Sequence, residues 1–401
     1  MMMIELTEKQ KLALNLVERW FNDSDEPYFY LAGYAGTGKT TICKEAIKLL
    51  NLKAKQVVYC AFTGKAVRVL MENGCKNSQT LHSLIYNAEL NQKNELVFVK
   101  KNYDEINFEL IVLDECSMVN EELFADLLSF EIPVLILGDP GQLPPISGHT
   151  SYGEPNIILD EVHRQKGKDI ILYQAHQVRK NGKVDPQIFG KDEFEFINDR
   201  IFIHDFYKLD VVNRDVIDPT TKKIIVGRNA TRMQINREIH ARVANSKKRV
   251  LPFKGQRIMC LQNHKRWGLL NGAEYKFIEA HVDENATKYS DLGLVNCIIE
   301  DDYGRRIAPV INFEHMVKTI NGDYNRSTLP PNTNCVAFDY SYAITCHKSQ
   351  GSQWNEIMIV DESDSFKGNE KEWLYTAITR AKKCVNYLKE KRIPLWKKKN
   401  I

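Results

Sequence analysis

The sequence predicts an α/β protein with two parallel sheets in tandem, and three observations predict it. First, residues 28–32, 57–62, 110–113 and 134–137 are short apolar runs rich in β-branched and aromatic residues, each closed by a polar or Gly-containing loop. A helical pattern or a connection follows each one. That rhythm belongs to a parallel sheet, whose ligands bind at the C-terminal ends of the strands. Second, the rhythm returns, with strands expected at 223–227 and 357–360 and helices at 230–243 and 372–383. Third, the texture between these halves changes. The β-prone pieces 256–261, 274–278, 294–299 and 306–311 are separated by Gly, Asn and Asp turns, which predicts a small all-β insert.

The elements follow in order. Thr7 is the expected N-cap of the first helix, with Gln10 at the capping-box position and Leu12, Ala13, Leu16, Val17 and Trp20 at helical spacing. A Gly-rich turn leads from the first strand into a helix from about 39 to 50. Within 83–109, Asn91-Gln92-Lys93-Asn94 interrupts the chain before the run 96–99, so a projecting hairpin is expected there. The domain reading is 1–155 for a first domain carrying that hairpin. A second domain is formed by 156–250 with 334–401, and 251–333 is the β insert.

Composition narrows the class. With 43% hydrophobic and 27% charged residues over 401 positions, the chain is neither collagen-like nor wholly disordered. No apolar run approaches the roughly 20 residues that span a bilayer. The N-terminus lacks the charged start and apolar stretch of a signal peptide. Nine Cys without a CxxC pair predict reduced thiols in the cytoplasm and no zinc site. The formal charge is only +3, so a nucleic-acid partner would be held by a local groove.

The sharpest chemical signal is Gly33-Tyr34-Ala35-Gly36-Thr37-Gly38-Lys39-Thr40, a GxxxxGKT pattern between a strand and a helix. A phosphate chain needs backbone N–H groups brought close around it, which Gly permits, and the helix N-terminus adds a favourable dipole. Lys39 is expected to reach the β- and γ-phosphates and the Thr40 hydroxyl to bind Mg²⁺. The expected nucleotide contacts are Gly33, Ala35, Gly36, Thr37, Gly38, Lys39, Thr40 and Thr41. Asp114 ends the third strand, where it suits a Mg²⁺ ligand or a partner of one, and Glu115 is placed to polarise the attacking water. Adjacent acids after a strand are common, so this pair gains its meaning from the upstream loop. Gln142, in the turn 138–145, can donate to a γ-phosphate oxygen and accept from water; the alternative is a rigid Pro/Gly turn with a solvated amide. Arg164 and Arg380 are candidates to meet charge developing on the γ-phosphate, although a single Arg is more often a surface ion pair. The donor-rich run 345–351, with Thr63, Lys65, Thr80 and His82, suits phosphate contact from a nucleotide or a DNA backbone.

In this order the set resembles superfamily 1 helicases, in the branch of RecD-like and phage Dda-like proteins. Gln10 fits the adenine-reading Q motif, 33–40 motif I, 61–66 motif Ia and Thr80-Leu81-His82 motif Ib. Residues 114–118 match motif II, 138–145 motif III, 162–165 motif IV, 342–351 motif V and 374–380 motif VI. The resemblance implies ATP and Mg²⁺ between two RecA-like domains, with Arg164 and Arg380 as arginine fingers and Gln350 and Gly351 at the nucleotide. It implies a hairpin in the first domain and an SH3-like insert in the second. It also implies DNA contacts by Phe62, Thr63, Lys65, Thr80, His82, Pro144, Thr345, His347 and Lys348. Phe62 stands where the family has Pro; it can stack on a base or fill the core, and core is favoured. Gln353 stands where Glu commonly follows motif V. The implied activity is a monomeric ATP-driven 5′ to 3′ motor on single-stranded DNA and forks in a bacterial or phage-infected cytoplasm. Single-strand-binding, replication and recombination proteins are further candidate partners. The residues alone leave two other classes open: a DNA-bound ATP switch that does not unwind, and a small-molecule phosphotransferase.

Overall fold

The computed structural model describes residues 6–90, 96–145, 152–161, 170–184, 194–196, 223–244, 250–269, 271–281, 294–301, 304–321 and 335–389. The chain divides into two compact units. The first is Met1–Leu172 with Gln350–Ser352, and the second is Tyr173–Ser349 with Gln353–Ile401.

The first unit runs α1 (Glu8–Asp23), β1 (Tyr28–Gly33), α2 (Lys39–Leu49), β2 (Val57–Ala61), α3 (Gly64–Glu72), β3 (Ser78–Thr80) and α4 (Leu81–Ile85). It continues through β4 (Tyr86–Leu90), β5 (Leu96–Lys100), β6 (Leu110–Asp114), α5 (Glu121–Leu128), β7 (Val134–Gly138) and β8 (Ile157–Leu159). Its six-stranded sheet has the order β3-β2-β6-β7-β1-β8, and every pairing is parallel. Both faces are buried, as parallel sheets require. Phe29 and Leu31 of β1 join Ala13, Val17, Ile42 and Ala46 of α1 and α2, while Tyr30 and Ala32 face Leu81, Phe124 and Leu127 of α4 and α5. The alternation along β1 follows from the two-residue period of a strand. β4 and β5 form a separate antiparallel pair in which Tyr86 faces Lys100 and Leu90 faces Leu96.

After α6 (Ile170–Asn181), the second unit holds β9 (Phe194–Phe196), β10 (Lys223–Val226), α7 (Asn229–Val243), β11 (Arg257–Cys260), β12 (Glu274–His281), β13 (Leu294–Glu300), β14 (Arg306–Ile307) and β15 (Val310–Asn312). Next come α8 (Glu314–Asn321), β16 (Val336–Tyr340), β17 (Ala343–Thr345), α9 (Cys346–Ser349), β18 (Trp354–Asp361), α10 (Glu370–Ile378) and β19 (Ala381–Lys389). One sheet, β17-β10-β18-β19-β9, is all parallel. The other, β12-β11-β16-β15-β13-β14, is antiparallel apart from β15–β16. A single core of Ile224, Val226, Ile258, Phe338, Tyr340 and Met358 joins the two sheets.

The structure corrects several boundaries. A division at 155/156 falls before β8, which is hydrogen-bonded to β1 through Leu31↔Ile157 and Gly33↔Leu159. A division at 333/334 falls before β16, a central strand of the third sheet. That insert is not all-β, because α8 packs within it. The expected strand 306–311 is two strands, since Pro309 has no amide to give to a ladder. The expected helix 372–383 ends at Ile378; Ala381–Lys389 is a strand whose Val385, Tyr387 and Leu388 are buried beside β18.

Candidate nucleotide and nucleic-acid site

The phosphate loop joins β1 to α2 at the C-terminal edge of the first sheet. Gly36 and Gly38 have φ of +80° and +88°, a backbone region that side chains rarely adopt. Gly33 is required for a different reason: a Cβ there would lie 2.6 Å from Thr37 Oγ1 and 3.1 Å from Leu159 Cβ. Lys39 Nζ donates to the Gly33 carbonyl at 2.5 Å and the Tyr34 carbonyl at 3.3 Å, and Thr37 Oγ1 donates to Tyr34 O at 2.8 Å. Thr40 and Thr41 sit half-buried on the first turn of α2, beside half-buried Ala35 in the loop. Gln10 is buried, and its amide closes the capping box by accepting from Thr7 N at 3.2 Å. The same amide donates to Thr37 O at 3.1 Å, so α1 braces the loop.

Two strands away, β6 ends in Asp114 and Glu115. Asp114 Oδ1 accepts the Glu115 amide at 2.9 Å. Burial, then the charge of Glu115, pushes the Asp114 carboxyl up to about 6, against the pull of that amide and of Lys39. Glu115 has φ +53° and ψ +48°, a left-handed conformation costly for a residue with a Cβ. The other non-Gly residues with positive φ among those described, Asn51 and Glu131, lie just beyond the ends of α2 and α5, where left-handed caps are ordinary. Glu115 has no such excuse.

Between these strands, β7 delivers Gly138 and Asp139. Asp139 Oδ1 accepts from Gly141 N at 2.9 Å, and its carbonyl accepts from Gln142 N at 3.0 Å. This turn holds Gln142 at 8% exposure with Oε1 lacking a hydrogen-bond partner. A buried acceptor left unspent costs about 1–3 kcal/mol, and such groups gather where a ligand or water completes them. Gln350, Gly351 and Ser352 pack with this same unit. Gln350 Nε2 donates to Leu143 O at 2.8 Å and to Ser117 Oγ at 3.4 Å. Gly351, at φ +68°, leaves no room for a Cβ, which would stand 2.8 Å from Ala66 Cβ.

The residues beside the loop fit a nucleotide with Mg²⁺. They offer an ammonium, amides at a helix N-terminus, a hydroxyl and two carboxylates. Among the described residues no cluster of three or more His, Cys, Asp or Glu could hold a metal alone.

The expected DNA contacts fall into two groups. In the first unit, Thr63 and Thr80 are N-caps, accepting from Ala66 N and Ser83 N at 3.2 Å each. Their position thus has a structural cause as well. Phe62 is half-buried against the core and edge-on to His82, with ring centroids 5.6 Å apart. His82 continues to Tyr86 and to Phe98, which is 58% exposed on β5. Lys65 and Pro144 are half-buried. In the second unit, Thr345 ends β17, His347 packs on Phe366 at 5.6 Å and Lys348 is exposed. Arg380 is buried in that unit, where Nε donates to Thr376 O and Nη2 to Thr379 Oγ1, each at 3.0 Å. Arg164 lies outside the described residues.

Sequence reasoning missed Ser117, Phe98 and Glu362. Glu362, just past β18, accepts from Gly227 N at 2.8 Å, Arg228 N at 2.9 Å and Thr231 Oγ1 at 2.7 Å. It closes the N-terminus of α7 with a carboxylate from 131 or more residues away, so no local pattern signals it.

The AAA domain family matches residues 18–148, and the UvrD-like helicase C-terminal domain family matches 340–386. The ATP-dependent RecD2 DNA helicase of Deinococcus radiodurans is 34% identical over 155 residues, covering 36% of this chain and 21% of the relative. The RecBCD subunit RecD of Buchnera aphidicola (strain Sg) is 23% identical over 91% of this chain and 70% of its own length. The chain spans two-fifths or less of the curated relatives that share a third of its aligned residues. A Bacteroides Pif1 solved bound to ssDNA shares the fold, with TM-score 0.56 and 18% identity over 98% of this chain and 93% of that one. The two parallel sheets, the ordered motifs and both domain matches make this chain similar to superfamily 1 helicases of the RecD kind, with a fold shared with Pif1.

Proposed function

We propose that the chain is an ATP-dependent DNA helicase and translocase that moves 5′ to 3′ on single-stranded DNA and opens duplex at forks. The observation that carries this reading is the arrangement at one sheet edge. The phosphate loop, the Asp114–Glu115 pair and the unspent Gln142 Oε1 end three neighbouring strands, and Gln350 is bonded to the Gln142 turn through Leu143. Lys39 and the loop amides hold the phosphates, while Thr40 and Asp114 hold Mg²⁺, which neutralises phosphate charge when bound. Glu115 accepts the proton of the attacking water, and its fixed left-handed backbone sets the direction of its carboxylate. Gln142 senses the γ-phosphate through its free oxygen and passes that state to the loops carrying Phe62 and Pro144. Arg164 and Arg380 act as arginine fingers that meet the charge developing on the γ-phosphate, and binding and hydrolysis drive an opening and closing cycle.

Single-stranded DNA is the ligand class that the Bacteroides Pif1 relative was solved with, and an exposed aromatic beside basic and small polar residues suits it. In this reading β4–β5, with Phe98 outward, is the wedge that meets the duplex. The test is unwinding of matched duplexes bearing only a 5′ tail or only a 3′ tail, with ATP and Mg²⁺ and Lys39→Ala as control. Opening of the 5′-tailed substrate alone is expected. Turnover stimulated by single strands without any opening would reduce the chain to a translocase or switch.

A further inference from the structure

A lone two-stranded pair is marginal in water, so β4–β5 needs an outside support to keep a fixed direction. Most of its described contacts are to chain that adjoins it. Lys101 N donates to Ile85 O at 2.9 Å, Lys101 Nζ donates to Ser83 O at 2.7 Å, and Asn87 Nδ2 donates to Glu105 Oε1 at 3.1 Å. One carboxylate from elsewhere reaches both strands. Tyr86, at the start of β4, donates its hydroxyl to Asp126 Oδ2. Lys100, at the end of β5, donates to Asp126 Oδ1 at 3.4 Å and to Ser129 Oγ at 3.0 Å. Tyr86 and Lys100 are cross-strand partners, so Asp126 grips the two sides of the hairpin at its root. Asp126 lies on α5, the first helix after the Asp114–Glu115 pair, and Leu123, Phe124 and Leu127 of α5 are buried in the core of the first sheet.

We propose that Asp126 is a positioning residue that locks the hairpin onto the hydrolytic unit, so that motion of the motor reaches the duplex end instead of bending the hairpin aside. The inference rests on the helicase reading above, because it assigns the hairpin work against a duplex. Asp126 touches neither nucleotide nor strand in this scheme, so its loss uncouples two activities and leaves the motor running.

Two measurements on the full chain test this. Amide hydrogen exchange in β4 and β5 is expected to quicken about tenfold in Asp126→Ala and in Tyr86→Phe, with the first sheet unchanged. On a 5′-tailed duplex, Asp126→Ala is expected to keep single-strand-stimulated ATP turnover within about twofold and to open about fivefold fewer base pairs per ATP. Asp126→Asn, which retains one acceptor oxygen, should fall between the two. Hairpin exchange as slow as the parent's in both variants overturns the clamp, and so does an unchanged number of base pairs per ATP. Should Asp126→Ala loosen the whole first sheet, Tyr86→Phe decides by whether its hairpin alone exchanges faster. A parent that opens no duplex would defeat the helicase reading, while the exchange comparison would still decide the clamp.

Discussion

Glu115 is held in a left-handed backbone that costs on the order of 1–2 kcal/mol for a residue with a Cβ. Its amide is bonded to the Asp114 carboxylate, which makes this conformation a product of the site. Glu115→Gln preserves size and backbone while removing the base. Nucleotide binding should persist and turnover should fall at least about 100-fold, as loss of general-base catalysis does. Equal steady-state ATPase rates would remove Glu115 from that role. Gly33→Ala tests the loop without touching charge. Its Cβ would strike Thr37 Oγ1 and Leu159, so we expect about 1–3 kcal/mol of destabilisation and weaker nucleotide binding, read by titration of a fluorescent ATP analogue. At this scale the sequence was most legible where chemistry is compressed into a few neighbours. The loop 33–40 and the pair 114–115 are read directly from spacing. The bond from Gln350 to Leu143 spans 207 residues, and no period or composition announces it.

Helix α7 shows what an element needs beyond its own residues. Its N-cap, Arg228, makes no side-chain capping bond, and Glu362 from the loop after β18 accepts instead from the amides of Gly227 and Arg228 at the helix entrance and from the Thr231 hydroxyl in the first turn. In the first sheet the matching turn, after β1, is a Gly-rich phosphate cradle; here a carboxylate of the protein fills the anion position of the helix terminus. Glu362→Ala leaves buried N–H groups unpaired, and we expect about 3 kcal/mol of lost stability, seen as a lower urea midpoint for unfolding of the second unit. An unchanged midpoint would mean that water replaces the carboxylate at no cost. Strands were legible because a buried parallel strand is a short continuous apolar run, as in β2, β6 and β7. Where helix and strand share apolar character, local reading failed. The residues after Ile378 carry no breaker, and only pairing with β18 makes Ala381–Lys389 a strand. The three-residue β8 was too short to announce itself, so the division at 155/156 came too early.

At the scale of the whole molecule, the described histidines with lowered pKa are spread unequally between the units, and pH reads that difference. Burial lowers the pKa of His176, His315 and His347 in the second unit and of His82 in the first. His315 lies 3.8 Å from Asp339, which pulls the other way, but Arg232, Lys348 and Lys318 add to the lowering. A histidine held neutral in the fold binds fewer protons than in the unfolded chain below its ordinary value of about 6.5. Stability from these groups is therefore full above about 6.5 and is lost as pH falls from there through the lowered folded values. Asp114 acts in the opposite sense. Raised to about 6, it binds a proton in the fold before it does so unfolded, so its contribution grows as pH falls from about 6 towards 4. Among the described residues, the first unit thus has one depressed histidine opposed by one raised carboxylate, and the second has three depressed histidines. Acidification from pH 7.5 to 5.5 should loosen the second unit first. Amide exchange compared at equal intrinsic rates should show faster opening in β10, β16 and β18 before β1, β6 and β7. Equal loosening of both sheets, or earlier loss of the first, would show that groups other than these histidines govern the acid response.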